Sequence, residues 1–240
     1  MTSYLFISGS SHGSWCWEVV EPLLQAHGHL TRAVDLPGMG GDATPHEDLS
    51  LDLWARFAAG AVRAMPAPRV IVAHSRGGII ASQAAEILGA DLAGLVYVAA
   101  LLVPDVLSGF DAAAWSGAPP IPVIFAADGA SLTLARDTAR ARLYSGTPSL
   151  PAERALDRLE PEPIAPLTHK LSLTPERYGR VPRSYIGCAR DNSTIDAILQ
   201  REMLARSPCE MVRVIDADHS PFYSAPHALA EAILDAPSRK

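Results

Sequence analysis

The feature that most constrains this chain is the stretch Val70-Ile71-Val72-Ala73-His74-Ser75-Arg76-Gly77-Gly78-Ile79-Ile80. Its β-branched run reads as a strand, Arg69 to Ala73, which gives way after the turn His74 to Gly78 to the helix Ile79 to Leu88. A strand that feeds straight into a helix is one half of a βαβ unit, so its sheet is expected to be parallel. So abrupt a turn crowds the residues two positions on either side of its apex, and Ala73 and Gly77 are small enough to permit it. Ser75 occupies the apex, at the N-terminus of the following helix, where unpaired N–H groups stabilise developing negative charge. This is the setting of an activated serine nucleophile, with a structural Gly-rich turn as the bland alternative.

The rest of the chain repeats the alternation. Tyr4 to Ile7 reads as a buried strand entering the small-residue loop Ser8 to Gly13, Trp15 to His27 as a helix ended by Gly28, and Leu30 to Leu36 as a strand. Leu51 to Met65 reads as a helix stopped by Pro66-Ala67-Pro68, and the wholly apolar Leu92 to Ala100 as a parallel strand covered on both faces. The order predicts an α/β fold with a mostly parallel, doubly wound sheet. From about residue 105 to 180 the pattern breaks at Pro119-Pro120-Ile121-Pro122, Pro161-Glu162-Pro163 and Pro166, leaving short helical pieces at Ala130 to Leu143 and Ala152 to Leu159. This stretch is expected to be a cap inserted into a single domain, 1–240, whose core is 1–104 and 181–240. Strands Arg183 to Cys188 and Glu210 to Ile215, with helices Asp196 to Ala205 and Ala225 to Leu234, complete the sheet.

Composition narrows the chemistry. The 240 residues are 48% hydrophobic, enough for one large core, and carry a formal charge of −6 with no block of Lys or Arg, so a nucleic-acid partner is not expected. Cys16, Cys188 and Cys209 show no Cys-x-x-Cys spacing and read as buried thiols. No His-Glu-x-x-His or dinucleotide-binding glycine pattern is present, so neither a metal nor an organic cofactor is expected. The start of the chain lacks a signal-peptide pattern and no apolar run is long enough to span a bilayer, which makes a cytoplasmic protein without a membrane partner the expectation.

A serine nucleophile needs a base and an acid. Among eight histidines, His219 follows the strand Glu210 to Ile215 in Asp216-Ala217-Asp218-His219-Ser220-Pro221, at a strand end where open α/β sheets place their chemistry. His12 and His74 flank the candidate site and are read as shaping the pocket rather than moving protons. The acid should precede the histidine in chain order and come from another strand end, which favours Asp191 after Arg183 to Cys188, with Asp105 as the fallback. Asp216 and Asp218 lie too near His219 in sequence to meet its Nδ1 well. One oxyanion donor is the N–H of Arg76, directly after the serine; the loop after the first strand offers a second, taken as Ser10.

Taken together, Ser11-His12-Gly13-Ser14-Trp15-Cys16-Trp17, Ala73-His74-Ser75-Arg76-Gly77-Gly78, Asp191 and Asp218-His219-Ser220-Pro221 resemble the esterase and hydroxynitrile lyase branch of the α/β-hydrolases. Plant methyl esterases and bacterial pyrethroid-type carboxylesterases belong there, and the likeness extends through Leu171 to Pro182. The resemblance implies an α/β-hydrolase fold with a cap, the Ser75–His219–Asp191 set, and backbone oxyanion donors at Ser10 and Arg76. Ser8 stands where many members have histidine, and an arginine directly after the nucleophile is unusual; an internal ion pair or a carboxylate-bearing substrate are the two accounts of it. The lyases of the branch use a lysine after the histidine and a threonine in the oxyanion loop, where this chain has Ser220 and Gly9. The expected activity is hydrolysis of a small, largely apolar ester or lactone, with Ser11, His12, Trp115 and Phe125 as candidate substrate contacts and Phe110 and Tyr144 as further cap aromatics. A tailoring hydrolase or cyclase, lyase-type acid/base chemistry, and a receptor that kept the pocket remain as alternatives, and a homodimer is left open.

Overall fold

Strands form where the apolar runs lie, and the loops between them decide the order of the sheet. The computed structural model describes residues 1–192 and 194–239. In chain order its elements begin β1 (Ser3–Ile7), α1 (Val20–Ala26), β2 (Leu30–Val34), α2 (Leu51–Arg63), β3 (Arg69–His74), α3 (Gly77–Leu88) and β4 (Gly94–Val98). The cap follows with α4 (Gly109–Ala113), β5 (Ile124–Phe125), β6 (Ser131–Thr133), α5 (Arg136–Leu143), α6 (Ser149–Leu156), β7 (Glu162–Pro163) and α7 (Ala165–Thr168). The core resumes at β8 (Arg183–Cys188), α8 (Ala197–Arg206), β9 (Met211–Ile215), α9 (Pro221–Ser224) and α10 (Pro226–Leu234).

The core strands form one six-stranded sheet in the order β2-β1-β3-β4-β8-β9. Every pairing in it is parallel, with Ser3 opposite Leu30 on one side and Arg69 on the other. β1 and β4 are buried along their whole length, whereas the edge strands β2 and β9 alternate, as expected when a strand loses cover on one face. Strand order reverses between β1 and β3, because the chain runs outward to β2 and returns on the other side of β1. The carboxyl ends of β1 and β3 therefore diverge into a crevice, the place where open α/β sheets bind ligands. The loop Ser8–Gly13 and the Ser75 turn both open into it.

Two apolar layers cover the sheet. α2 and α3 pack on one face through Trp54, Ala58, Ile79 and Ile80, and α1 and α10 on the other through Val20, Leu24, Leu229 and Ile233. Cap residues Leu143, Tyr144, Ala152 and Leu156 belong to this second layer, beside Trp17 and Phe222, so the cap shares the core rather than resting on it. No helix among the described residues is long and apolar enough to cross a membrane.

Three expectations are corrected. Trp15 to His27 is a short 3₁₀ turn, Ser14–Trp17, followed by α1, because Pro22 lacks the N–H that a continuous helix would offer to the Glu18 carbonyl. Ala130 to Leu143 is not one helix: Ser131–Thr133 is the middle strand of the antiparallel sheet β5-β6-β7, with Leu132 between Phe125 and Glu162, and the helix starts at Arg136. The helix expected at Ala152 to Leu159 runs from Ser149 to Leu156, since Pro151 falls in its first turn, where no intrahelical donor is needed.

Candidate active site

The turn after β3 is as sharp as its small residues suggest. Ser75 has φ +51°, a left-handed conformation that costs a non-glycine residue about 1–3 kcal/mol. Hydrogen bonds on both sides hold it: Ser75 N–H donates to the Val98 carbonyl at 3.2 Å, and its own carbonyl accepts from Gly78 at 3.1 Å and Leu101 at 2.9 Å. The glycines that follow are needed for close approach. A Cβ on Gly77 would lie 2.9 Å from the Ser8 carbonyl oxygen, and one on Gly78 would run into the Leu101 carbonyl. α3 can therefore start against the ends of β1 and β4, which sets Ser75 between them.

His219 and Asp191 arrive from β9 and β8. The His219 Nε2 is 3.0 Å from Ser75 Oγ, and its Nδ1 is 2.6 Å from Asp191 Oδ2. With Nδ1–H donating to the carboxylate, Nε2 is left to accept from the serine hydroxyl. Both side chains are buried, and Asp191 also accepts from the N–H groups of Thr194 and Ile195 at 3.1 Å. Burial alone raises the Asp191 carboxyl; the His219 charge and hydrogen bond, with those two N–H groups, outweigh it and hold the acid below its ordinary value. Asp105 instead accepts from Leu173 N–H at the exit from the cap, away from His219.

The residues behind His219 fix its loop. His74, which burial keeps well below the ordinary histidine value, donates from Nε2 to the His219 carbonyl at 2.8 Å. Asp218, fully buried, accepts from Ser220 N–H (3.0 Å) and Ser224 Oγ (2.7 Å) with one oxygen, and from Gly146 N–H and Thr147 Oγ (both 2.8 Å) with the other. The cap is thus tied directly to the residue preceding His219.

On the opposite side lies the loop after β1. Gly9 packs against the serine: a Cβ there would lie 2.6 Å from His74 Nδ1 and 2.8 Å from Ser75 Cβ. Ser8 Oγ donates to the His12 carbonyl at 2.8 Å, closing the loop on itself. Burial pushes His12 down to about 4, with charged neighbours adding to the effect, so its ring is neutral. Its Nδ1–H donates to the Ser10 carbonyl (2.7 Å), which leaves Nε2 to accept from Tyr144 Oη (2.6 Å) of the cap. Ser10 and Arg76 both border the crevice beside Ser75, and among the described residues neither backbone N–H donates to another protein group. Two free donors flanking a nucleophile can receive a developing oxyanion.

The Arg76 side chain does not enter the crevice. It is 1% exposed, forms an ion pair with Glu162 Oε1 at 3.2 Å, donates to the Gly9 carbonyl at 2.7 Å, and lies over the Trp54 ring at 4.5 Å. Of the two accounts that the sequence leaves open, the structure holds the internal ion pair. Burial raises the Glu162 carboxyl above its ordinary value, opposed by Arg76 and by the Ser11 N–H.

Two apolar lobes open from Ser75. One, about 140 Å³, is walled by Leu132, Leu134 and Leu143 with Ser11 and His12; the other, about 200 Å³, by Leu101, Phe110, Leu167 and Leu199. Ile121 and Thr194 border both. Of the candidate substrate contacts, Ser11 and His12 line the first lobe, whereas Trp115 and Phe125 line neither. Trp115 packs under the Arg206 guanidinium at 4.3 Å, and Phe125 is 62% exposed on β5, because the chain that reaches the cavity is the proline-flanked stretch before it. Phe110 is in the second lobe, and Tyr144 lies behind the first, bonded to His12. Thr194, Ile121, Asp218 and Glu162 belong to the site without any signal in the sequence that would single them out. Among the described residues no group of His, Cys, Asp and Glu is arranged to hold a metal ion.

Residues 4–232 match the alpha/beta hydrolase family. The chain belongs to that family. It is 30% identical to methylesterase 7 and 29% identical to methylesterase 9 of Arabidopsis thaliana, over 97% and 98% of its own length and 95% and 97% of theirs. It spans 63% of the length of putative methylesterase 11, chloroplastic, from the same plant. Among solved structures, an Arabidopsis methylesterase superposes with a TM-score of 0.83 at 26% identity, covering 98% of both chains. A pyrethroid hydrolase from Sphingobium faniae (TM-score 0.85, 24% identity, 98% and 96% of the two chains) shares the fold. This kinship supports a hydrolase of the esterase type.

Proposed function

We propose that the chain is a serine esterase acting on a small, largely apolar carboxylic ester or lactone, with Ser75 as nucleophile, His219 as general base and Asp191 as the acid that orients it. The observation that carries this reading is the hydrogen-bonded chain Asp191–His219–Ser75, at 2.6 and 3.0 Å, ending on a serine between two apolar lobes. His219 takes the Ser75 proton as Oγ bonds to the substrate carbonyl carbon, and the carbonyl π pair moves onto oxygen. The N–H groups of Ser10 and Arg76 receive that oxyanion, each contributing about 3 kcal/mol in the transition state. Collapse expels the alcohol, protonated by His219, and leaves an acyl group on Ser75 that water removes by the same steps in reverse.

Each lobe is smaller than the roughly 300–1,000 Å³ of sites for drug-sized ligands, which favours a compact acyl group on one side and a short alcohol on the other. The relatives named methylesterases make a methyl ester the first substrate to try. Lyase chemistry has less support, since the position after His219 is the buried Ser220 rather than a cation able to receive cyanide. The test is hydrolysis of short and medium p-nitrophenyl esters by the wild type and Ser75→Ala, with mandelonitrile cleavage run alongside. Ester turnover lost in the variant supports the reading; turnover equal in both overturns it.

A further inference from the structure

The oxyanion loop places the most flexible residue type where orientation matters most. Gly9 is required because no Cβ fits against Ser75 and His74, yet a glycine peptide rotates with little hindrance. In a trans peptide the carbonyl and the N–H point in opposite directions. The Gly9–Ser10 peptide therefore offers the crevice either the Ser10 N–H, which stabilises an oxyanion, or the Gly9 carbonyl, which repels one.

The shorter of the two hydrogen bonds on the Gly9 carbonyl comes from the Arg76 side chain. Its Nη2 donates to the Gly9 carbonyl at 2.7 Å and approaches the Ser8 carbonyl at 3.4 Å, holding the oxygen on the far side of the peptide, where the His12 N–H donates to it at the longer distance of 3.3 Å. Glu162 from β7 balances the buried guanidinium at 3.2 Å and accepts the Ser11 N–H at 2.7 Å, so the pair grips the loop on both sides of Ser10. The next peptide is pinned as well, by His12 Nδ1–H on the Ser10 carbonyl at 2.7 Å. A flip of the Gly9–Ser10 peptide would strip the buried guanidinium of its shortest hydrogen bond.

We propose that the Arg76 side chain, charge-balanced by Glu162 of the cap, is the positioning residue of the oxyanion hole: Arg76 contributes one donor through its backbone and aims the other, Ser10, through its guanidinium. This rests on the reading of Ser75 as nucleophile. It also makes β7 of the cap part of the catalytic scaffold, and it leaves Arg76 unavailable to a substrate carboxylate.

The experiment compares wild type, Arg76→Met and Arg76→Lys, all of which keep the backbone N–H of position 76. Three readouts are taken: the kcat and KM split on a p-nitrophenyl ester, the affinity for a trifluoromethyl ketone that adds to Ser75, and the crystallographic orientation of the Gly9–Ser10 peptide. Arg76→Met is expected to lower kcat by about 10²–10³-fold, the cost of one oxyanion donor, with KM changed less than about threefold. Trifluoromethyl ketone affinity should fall in the same proportion, the peptide should be flipped or split between two orientations, and Arg76→Lys should recover part of the loss. Unchanged kcat, inhibitor affinity and peptide orientation in Arg76→Met would overturn the proposal, as would a loss carried in KM alone. If Arg76→Met does not fold, the double variant Arg76→Met/Glu162→Gln removes both buried charges and is held to the same outcomes. Equal turnover by wild type and Ser75→Ala would defeat the nucleophile reading instead, and the peptide orientation in Arg76→Met still decides the positioning claim.

Discussion

Replacing Asp218 by Asn tests whether the cap and the His219 loop are held together by one buried carboxylate. The side chain keeps its shape but exchanges an oxygen for an NH₂ that can only donate. Four donors converge on Asp218: the N–H groups of Gly146 and Ser220 and the hydroxyls of Thr147 and Ser224. The hydroxyls can turn and accept, but the backbone N–H groups cannot, so whichever way the amide faces, one N–H meets another donor, either that of the buried Ser220 or that of the exposed Gly146. An orphaned buried donor costs about 1–3 kcal/mol, and loss of the carboxylate charge weakens the surviving bonds by about 1 kcal/mol more. The full penalty falls on the Ser220 side and water relieves part of it at Gly146, so the expected destabilisation is about 1–4 kcal/mol, or a fall in Tm of roughly 3–15 °C for a chain of this size. Because the Ser220 N–H lies directly after His219, kcat on a p-nitrophenyl ester should fall roughly tenfold or more, as small displacements of reacting groups do. Thr147→Val, which removes one hydroxyl, should cost about 1 kcal/mol and leave kcat within about twofold. Differential scanning calorimetry and initial rates on the three proteins decide it. An Asp218→Asn variant with a Tm within about 1 °C of wild type would refute the reasoning, because no arrangement of the amide satisfies both N–H groups.

Five further outcomes follow from other parts of the structure. Asp191→Asn should lower kcat by about 10⁴-fold by presenting the wrong histidine tautomer, measured on the same ester. Since the folded-state Asp191 value lies below its ordinary one, its stabilisation is present above that ordinary value and disappears as pH falls through the folded value; urea melts of wild type and Asp191→Asn should therefore converge only in strong acid. His12 titrates near 4 in the fold against 6.5 when free, so wild-type stability should fall by about 3 kcal/mol as pH drops from 6.5 to 4, and His12→Asn should flatten that slope in denaturant titrations. Phe125→Ala, on the exposed strand β5, should leave Tm and kcat/KM unchanged within error, whereas Leu132→Trp should abolish turnover of longer acyl chains by filling the first lobe.

The core was legible because its signals are local. Val70 to Ala73, the small residues about Ser75, and the strand ends before Asp191 and His219 each announce themselves within a few residues, and chain order supplied the rest. The cap was not. β5 and β6 span two and three residues, too few for any periodicity to register, so Ser131–Thr133 reads as the start of a helix until its pairing with β5 and β7 is known. Trp115 and Phe125 show the same limit: an aromatic in a proline-rich cap says nothing of which way it faces. The arginine after the nucleophile stood out in the sequence, but its partner Glu162 lies in the cap, and only the folded chain brings them together. Asp218 stands too close to His219 in sequence to serve as its acid, and the same closeness lets it anchor the loop that carries the histidine.

The most direct measurement is rapid-quench mass spectrometry of the protein mixed with excess p-nitrophenyl acetate. The account predicts a burst of p-nitrophenol and a single acetyl adduct on the peptide containing Ser75, present in the wild type, accumulating in a slow-deacylating variant and missing from Ser75→Ala. Steady ester turnover with no adduct at Ser75, or an equal adduct in Ser75→Ala, would contradict it.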